Sequence, residues 1–331
     1  MASILQKRLS RAGLSRQSAK GTAASAATYG YGVDGGSIFK LDLQEDEIGL
    51  TWSNLDILGY DRKGVKPSQD VGSIATANLI GLYLLGALGA DTVTGSASPY
   101  THTITPASVL PYLTAWGAFG TADFAQIIDS KVSSLELTWE QAGKLQTKAM
   151  IPGITPAFLA SQYTETNLEV PSSVGYFTAG GGTFTIEGTT ALITGGTIKI
   201  DNHIAQPIVS STVLPADVVE GKREITWSLK ILPTDTHLFR EVYFGAGTAG
   251  ALSGMSPYPH YGAISAVFTG PTVGGSATSL TLSSSTVRFM VEFPESGPDG
   301  GPAELTLAGT SILPSSGASL TATLTNGVSG Y

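Results

Sequence analysis

Two eight-residue runs joined by a three-residue link set the strongest limit on what this chain can fold into. In 133–140, Ser133, Leu135, Leu137 and Trp139 alternate with Ser134, Glu136, Thr138 and Glu140. In 144–151, Leu145, Thr147, Ala149 and Ile151 alternate with Lys144, Gln146, Lys148 and Met150. A period of two places one set on each face of a sheet. The link Gln141-Ala142-Gly143 suits a hairpin turn with one residue at positive φ. The stretch predicts a long antiparallel hairpin with an apolar face and a mixed, partly acidic polar face.

Short strands at about ten-residue spacing surround it, the pattern of a sandwich or barrel. The sequence predicts strands at 37–43, 48–52, 101–105, 112–119, 184–187, 196–201, 222–232, 262–268, 279–283, 287–293, 304–309 and 320–326. In 222–232, Ile225, Trp227, Leu229 and Ile231 oppose Glu224, Thr226, Ser228 and Lys230. Residues 44–47 read as an acidic link, 91–99 as a small-residue linker, and 55–73, 152–182 and 294–302 as loops. The apolar window 74–90 is too short for a membrane span. It reads as a buried helix over about 74–88, capped by Asp70 or Ser73 and ended by Gly89. A second short helix is expected at 235–243, capped by Thr234 or Asp235. The Gly-Lys pairs at 143–144 and 221–222, each opening a strand, suggest two similar halves at about 37–155 and 183–331.

Charge is unevenly distributed. Residues 1–33 hold Lys7, Arg8, Arg11, Arg16 and Lys20 and none of the 26 acids in the chain. Residues 1–36 therefore read as an extended basic arm on an acidic body spanning 37–331, a way to hold a neighbouring subunit. That acidic body argues against tight sequence-specific nucleic-acid binding. Only 13% of the 331 residues are charged and 41 are glycine, which fits a turn-rich β protein packed against copies of itself. With no cysteine, disulfides, thiol catalysis and thiolate metal sites are excluded. The first 21 residues lack the apolar run of a signal peptide.

Catalytic motifs are weak. The GxGxxG match at 245–250 follows a predicted helix rather than a strand, the wrong context for a dinucleotide fingerprint. His102, His203, His237 and His260 are dispersed and read as strand or surface residues, without support for a metal site. Glu136 and Glu140 share a face but have no pocket that would make them an acid/base pair. No GxSxG elbow occurs with ordered partners. No enzyme, cofactor or metal is expected.

The run Tyr100-Thr101-His102-Thr103-Ile104-Thr105-Pro106-Ala107 after an apolar helix, then 132–137 through Gly143-Lys144-Leu145, then 196–202, 220–226 and 317–327, resembles the major tail tube proteins of long, non-contractile phage tails. These pieces extend over roughly residues 40–330. The resemblance implies a mainly β subunit, an antiparallel β-sandwich or barrel with one or two flanking helices. It implies stacked hexameric rings in the virion tail, assembled in the host cytoplasm. It further implies a lumen lined by hairpin strands, through which genome DNA leaves. Its partners would be further copies, a tape-measure protein in the lumen, and tail terminator and tail-tip proteins, without membrane insertion. Glu136, Glu140 and Glu224 are the candidate lumen residues, and the five arm bases are candidate inter-subunit contacts. The alternatives are a fibre or cell-surface β-sandwich with a glycan or receptor pocket lined by Tyr258, His260 and Tyr261, and a carbohydrate-active enzyme.

Overall fold

A computed structural model describes residues 10–47, 60–121, 123–245, 255–273, 276–292 and 304–331. Strands dominate it. The order begins β1 (Arg11–Arg16), β2 (Ala27–Gly32), β3 (Gly36–Glu47), β4 (Tyr60–Ile74), α1 (Leu79–Leu88), β5 (Gly89–Thr94), β6 (Tyr100–Pro106), β7 (Leu113–Phe119) and β8 (Asp123–Ser130). It continues with β9 (Ser134–Glu140), β10 (Gln146–Pro152), β11 (Thr155–Leu159), β12 (Glu165–Glu169), α2 (Pro171–Val174), β13 (Thr178–Ile186), β14 (Thr189–Thr190) and β15 (Ile193–Asp201). The last elements are β16 (Glu224–Ile231), α3 (His237–Phe244), β17 (Tyr261–Val273), β18 (Ser276–Val291), β19 (Leu305–Ser311) and β20 (Thr321–Asn326).

A smaller sheet has the order β11-β8-β7-β1-β2-β12, with β12 parallel to β2. The larger sheet runs β14-β13-β17-β18-β19-β16-β15-β9-β10-β4-β3. It divides at β18. One edge of β18 pairs with β17 along most of its length, while the other pairs with β20 at 279–283 and with β19 at 287–291. β20 continues into β6 and β5. The larger sheet thus opens into two wings, and one core runs between them. Ile104, Ala322 and Leu324 come from one wing, and Leu135, Leu137 and Leu229 from the other.

The cause of the division lies in β18 itself. Leu280, Leu282 and Ser284 are buried at even positions, and Val287, Phe289 and Val291 at odd ones. One extra residue between Ser284 and Val287, opposite Ile264 and Gly262, shifts the register. A β-bulge of this kind re-aims every later side chain and bends the strand.

All ten residues of α1 are buried, as an uncharged segment that is apolar on every side requires. It begins later than the sequence suggests: Asp70 and Ser73 lie in β4, and Asn78 flanks the first turn without a side-chain cap. Gly89 ends it at φ 109°, its N–H donating to the Leu85 carbonyl. The ring of Tyr331 occupies the space a side chain at Gly81 would fill, so the C-terminus is packed onto the helix.

Gln69 joins the two sheets. It is fully buried in β4, and its Nε2 donates to the Ile38 carbonyl of β3 at 3.0 Å and to the Trp116 carbonyl of β7 at 2.9 Å. The Tyr31 hydroxyl of β2 lies 3.4 Å from its Oε1.

Several expectations are corrected. The arm is folded from Arg11 onward: β1 sits between β2 and β7, with Ala12, Leu14, Tyr29 and Tyr31 in the core. A boundary at residue 36 would therefore cut through one sheet. Residues 60–73 are strand, because β4 pairs with β3 on one side and β10 on the other. Residues 44–47 continue β3, and 91–94 belong to β5. Residues 152–182 hold β11, β12, α2 and the start of β13. The strand expected at 48–52 and the loop at 294–302 lie outside the described residues.

Candidate functional site

The predicted hairpin forms, with β9 and β10 antiparallel and Lys148 opposite Glu136. The positive φ falls on Gln141, at 50°, rather than on Gly143. Leu135, Leu137, Trp139, Leu145, Ala149 and Ile151 are buried. Trp139 stacks on Phe184 with ring centroids 5.5 Å apart and meets Phe268 edge-on at 5.0 Å. This packing holds one face of the hairpin against the core and turns the other outward.

The outward face is wider than the hairpin. β15 pairs with β9 and β16, and β19 extends the layer. Cross-strand register sets its chemistry. One row reads Lys148, Glu136, Lys199, Thr226, Thr310 and Arg288 across six strands. The next is uncharged: Gln146, Thr138, Thr197 and Ser228. On opposite flanks lie Ser134–Asp201–Glu224 and Glu140–Gly195–Lys230. Glu136 and Glu224 thus converge on Lys199, whose ammonium bonds Asp201 at 2.9 Å and is held above its ordinary pKa, chiefly by that bond. Glu140 stands apart at the hairpin turn. The face is a lattice of alternating sign, neither a uniformly acidic wall nor a paired-carboxylate site.

Alternation places Lys148 and Lys230 on polar faces, but sequence reasoning missed Asp201 and Lys199. Lys199 and Asp201 come beside Glu136 and Glu224 through the register of β15 with β9 and β16, and register between distant strands has no spacing signal.

The described arm bases bind their own subunit. Arg11 pairs with Glu165 at 3.2 Å, Arg16 donates to the Tyr331 carbonyl at 2.9 Å, and Lys20 pairs with Asp217 at 2.8 Å. Lys7 and Arg8 lie outside the described residues. Near Lys20, the buried Lys131 ammonium contacts Glu220 at 2.6 Å and lies 4.3 Å from the centre of the Tyr112 ring. Burial would raise the Glu220 carboxyl, but Lys131 and the Leu110 N–H outweigh it and hold it below its ordinary value. Because the folded value is depressed, this stabilisation is present above the unfolded pKa of about 4.3 and lost as pH falls through the folded one. Glu220→Gln is expected to cost about 2 kcal/mol at pH 7 and to converge on the wild type in acid. Denaturant melts across a pH series check this, and a gap of constant size would contradict it.

The three aromatic-tip residues do not converge on one point. Tyr258 and Tyr261 are exposed, while His260 turns toward Glu187. Among the described residues, one group has donors close enough to hold a metal ion: Glu187, Glu241 and His260. The histidines are therefore less isolated than their sequence positions suggest. His237 and Glu241, one helical turn apart on α3, were the readable sign. No described helix is long and apolar enough to cross a membrane.

The family model described as phage tail tube protein matches residues 67–325 of the chain. No curated protein matches it.

Proposed function

The chain belongs to the phage tail tube protein family, and from that premise we propose that it builds the long, non-contractile tail tube as stacked hexameric rings whose lumen carries genome DNA during ejection. The family gives a structural role in the virion tail, in a tube of identical subunits. The finer reading rests on one observation: a continuous polar face across β10, β9, β15, β16 and β19, backed by the core. Placed inward, that face lines the channel. Its alternating charges offer a sliding polyanion no run of cations to bind. During assembly the lumen holds a tape-measure protein, and terminator and tip proteins close the tube ends in the host cytoplasm.

Subunit contact falls to the free strand edges. β3 is a twelve-residue edge strand, and a long unpaired edge is a template for pairing with another chain. Leu41 and Leu43 on it are exposed, and Tyr60 on its partner β4 is 62% exposed. The β3–β4 pair is thus a projecting, partly apolar ribbon suited to a neighbouring subunit.

Electron microscopy of the purified chain is expected to show rings or tubes with a central hole. Dispersed monomers at high concentration after prolonged incubation would overturn the proposal. Leu43→Lys is expected to raise the subunit concentration needed for tubes about tenfold while changing monomer stability by less than about 0.5 kcal/mol. Sedimentation across a concentration series separates the two effects, and unchanged assembly would exclude this ribbon from the contact.

A further inference from the structure

Away from the polar face, three elements bring four titratable side chains together. Glu187 occupies the turn between β13 and β14, Glu241 and His237 lie on α3, and His260 precedes β17. The Nε2 of His260 is 2.5 Å from Glu187 Oε1 and 4.0 Å from Glu241 Oε2. His237 Nδ1 approaches the same Glu241 oxygen at 3.5 Å. That oxygen is buried and lacks a hydrogen-bond partner.

The cluster has a built floor. Gly262 has no side chain, and a Cβ there would collide with the Glu187 carboxylate and the Phe289 ring. Only glycine lets Glu187 lie in this position. The Phe289 ring also backs the His260 imidazole, with centroids 6.0 Å apart. Both carboxylates are partly buried, and two carboxylates drawn this close are eased by a cation between them.

We propose that Glu187, Glu241 and His260 form a divalent metal site, with Zn2+ as the preferred ion. Two carboxylate oxygens and an imidazole nitrogen make a mixed N/O set, which favours a borderline ion over Ca2+ or Mg2+. Tetrahedral bonds of about 2.0–2.1 Å require donors roughly 3.3 Å apart. The present donors all lie within 4.8 Å of one another, the shortest gap being 2.5 Å. Side-chain shifts of about 1 Å therefore complete the site. His237 stands beside it as a fourth donor or as an orienting group.

Such an ion would act as a clip. α3 has no buried residue and meets the core through the partly buried Leu238, Phe239 and Val242 and through the Tyr243 hydroxyl, which donates to the Val291 carbonyl of β18 at 2.9 Å. A metal would pin it to the β13–β14 turn and to the lead-in of β17, closing one wall of the roughly 420 Å³ cavity between α3 and β14.

The test is calorimetric titration of the untagged full chain with ZnCl2, with a Zn2+-dependent rise in melting temperature as a second readout. One equivalent per subunit is expected. Glu241→Gln, which keeps the shape of a protonated carboxyl, and His260→Gln should each weaken binding at least tenfold. Glu187→Gln serves as a further variant should either misfold, and visible absorption of the Co2+ form reports the N/O donor set. Absence of saturable binding to Zn2+, Mn2+ or Ca2+, or equal affinity in folded variants, would overturn the site.

Discussion

Replacing Gln69 by leucine is expected to remove about 4 kcal/mol of folding stability, roughly double the loss expected for Glu220→Gln. One amide satisfies the Ile38 and Trp116 carbonyls, one in each sheet. Leucine fills similar space but donates nothing. Both carbonyls would stay buried and unpaired, at about 1–3 kcal/mol each, and the Tyr31 hydroxyl would lose its neighbour. Because the lost bonds span two sheets, the denaturant transition should broaden as their unfolding separates. Gln69→Glu is the sharper control. It preserves shape but sets a carboxylate against two carbonyls, so it should cost at least as much at pH 7. Equilibrium denaturation followed by tryptophan fluorescence reports both, since Trp116 is at the junction. A loss below about 1 kcal/mol for Gln69→Leu would show that water or backbone movement satisfies the carbonyls.

The parts of the fold readable in the sequence are those where a single strand meets core on one side and water on the other. β9, β10 and β16 alternate cleanly for that reason, and their faces are as expected. β18 has the same kind of signal in two phases, so it reads as two strands; the bulge that joins them inverts the pattern. β4 reads as loop because Asp61, Arg62, Lys63, Lys66 and Pro67 make it charged and turn-rich, yet its outer half belongs to a ribbon wet on both sides, where no alternation is imposed. β1 and β2 are rich in small and polar residues. They become strands because β7 and β12 flank them, a tertiary effect absent from local propensity. The site divides similarly. Glu136, Glu140 and Glu224 follow from alternation. Lys148 faces Glu136 within the hairpin, but Lys199 reaches it only through the pairing of β9 with β15, about sixty residues away. The Glu187–Glu241–His260 group joins three separate segments, and only the His237–Glu241 spacing hinted at it.

Charge reversal on the polar face is expected to give the largest functional effect. With Glu136, Glu140 and Glu224 all changed to lysine, each subunit turns three potential repulsions of phosphate into attractions, repeated around every ring. The register makes the three sites unequal. At 136 a lysine would stand between Lys148 and Lys199, and opposed like charges cost up to about 1 kcal/mol per pair. Folding should therefore weaken by about 1–2 kcal/mol, nearly all of it from position 136. Glu140 and Glu224 are exposed at the margins and should change almost without penalty, so tubes should still form. DNA release through them should slow at least about a hundredfold in low salt, because a cationic channel exchanges condensed counterions for lysines. The defect should shrink as ionic strength rises and the Debye length falls below the channel radius. Glu140→Lys with Glu224→Lys alone separates the two contributions: release should slow while stability stays near wild type. Wild-type release from tubes of the triple variant at low salt would place this face outside the channel.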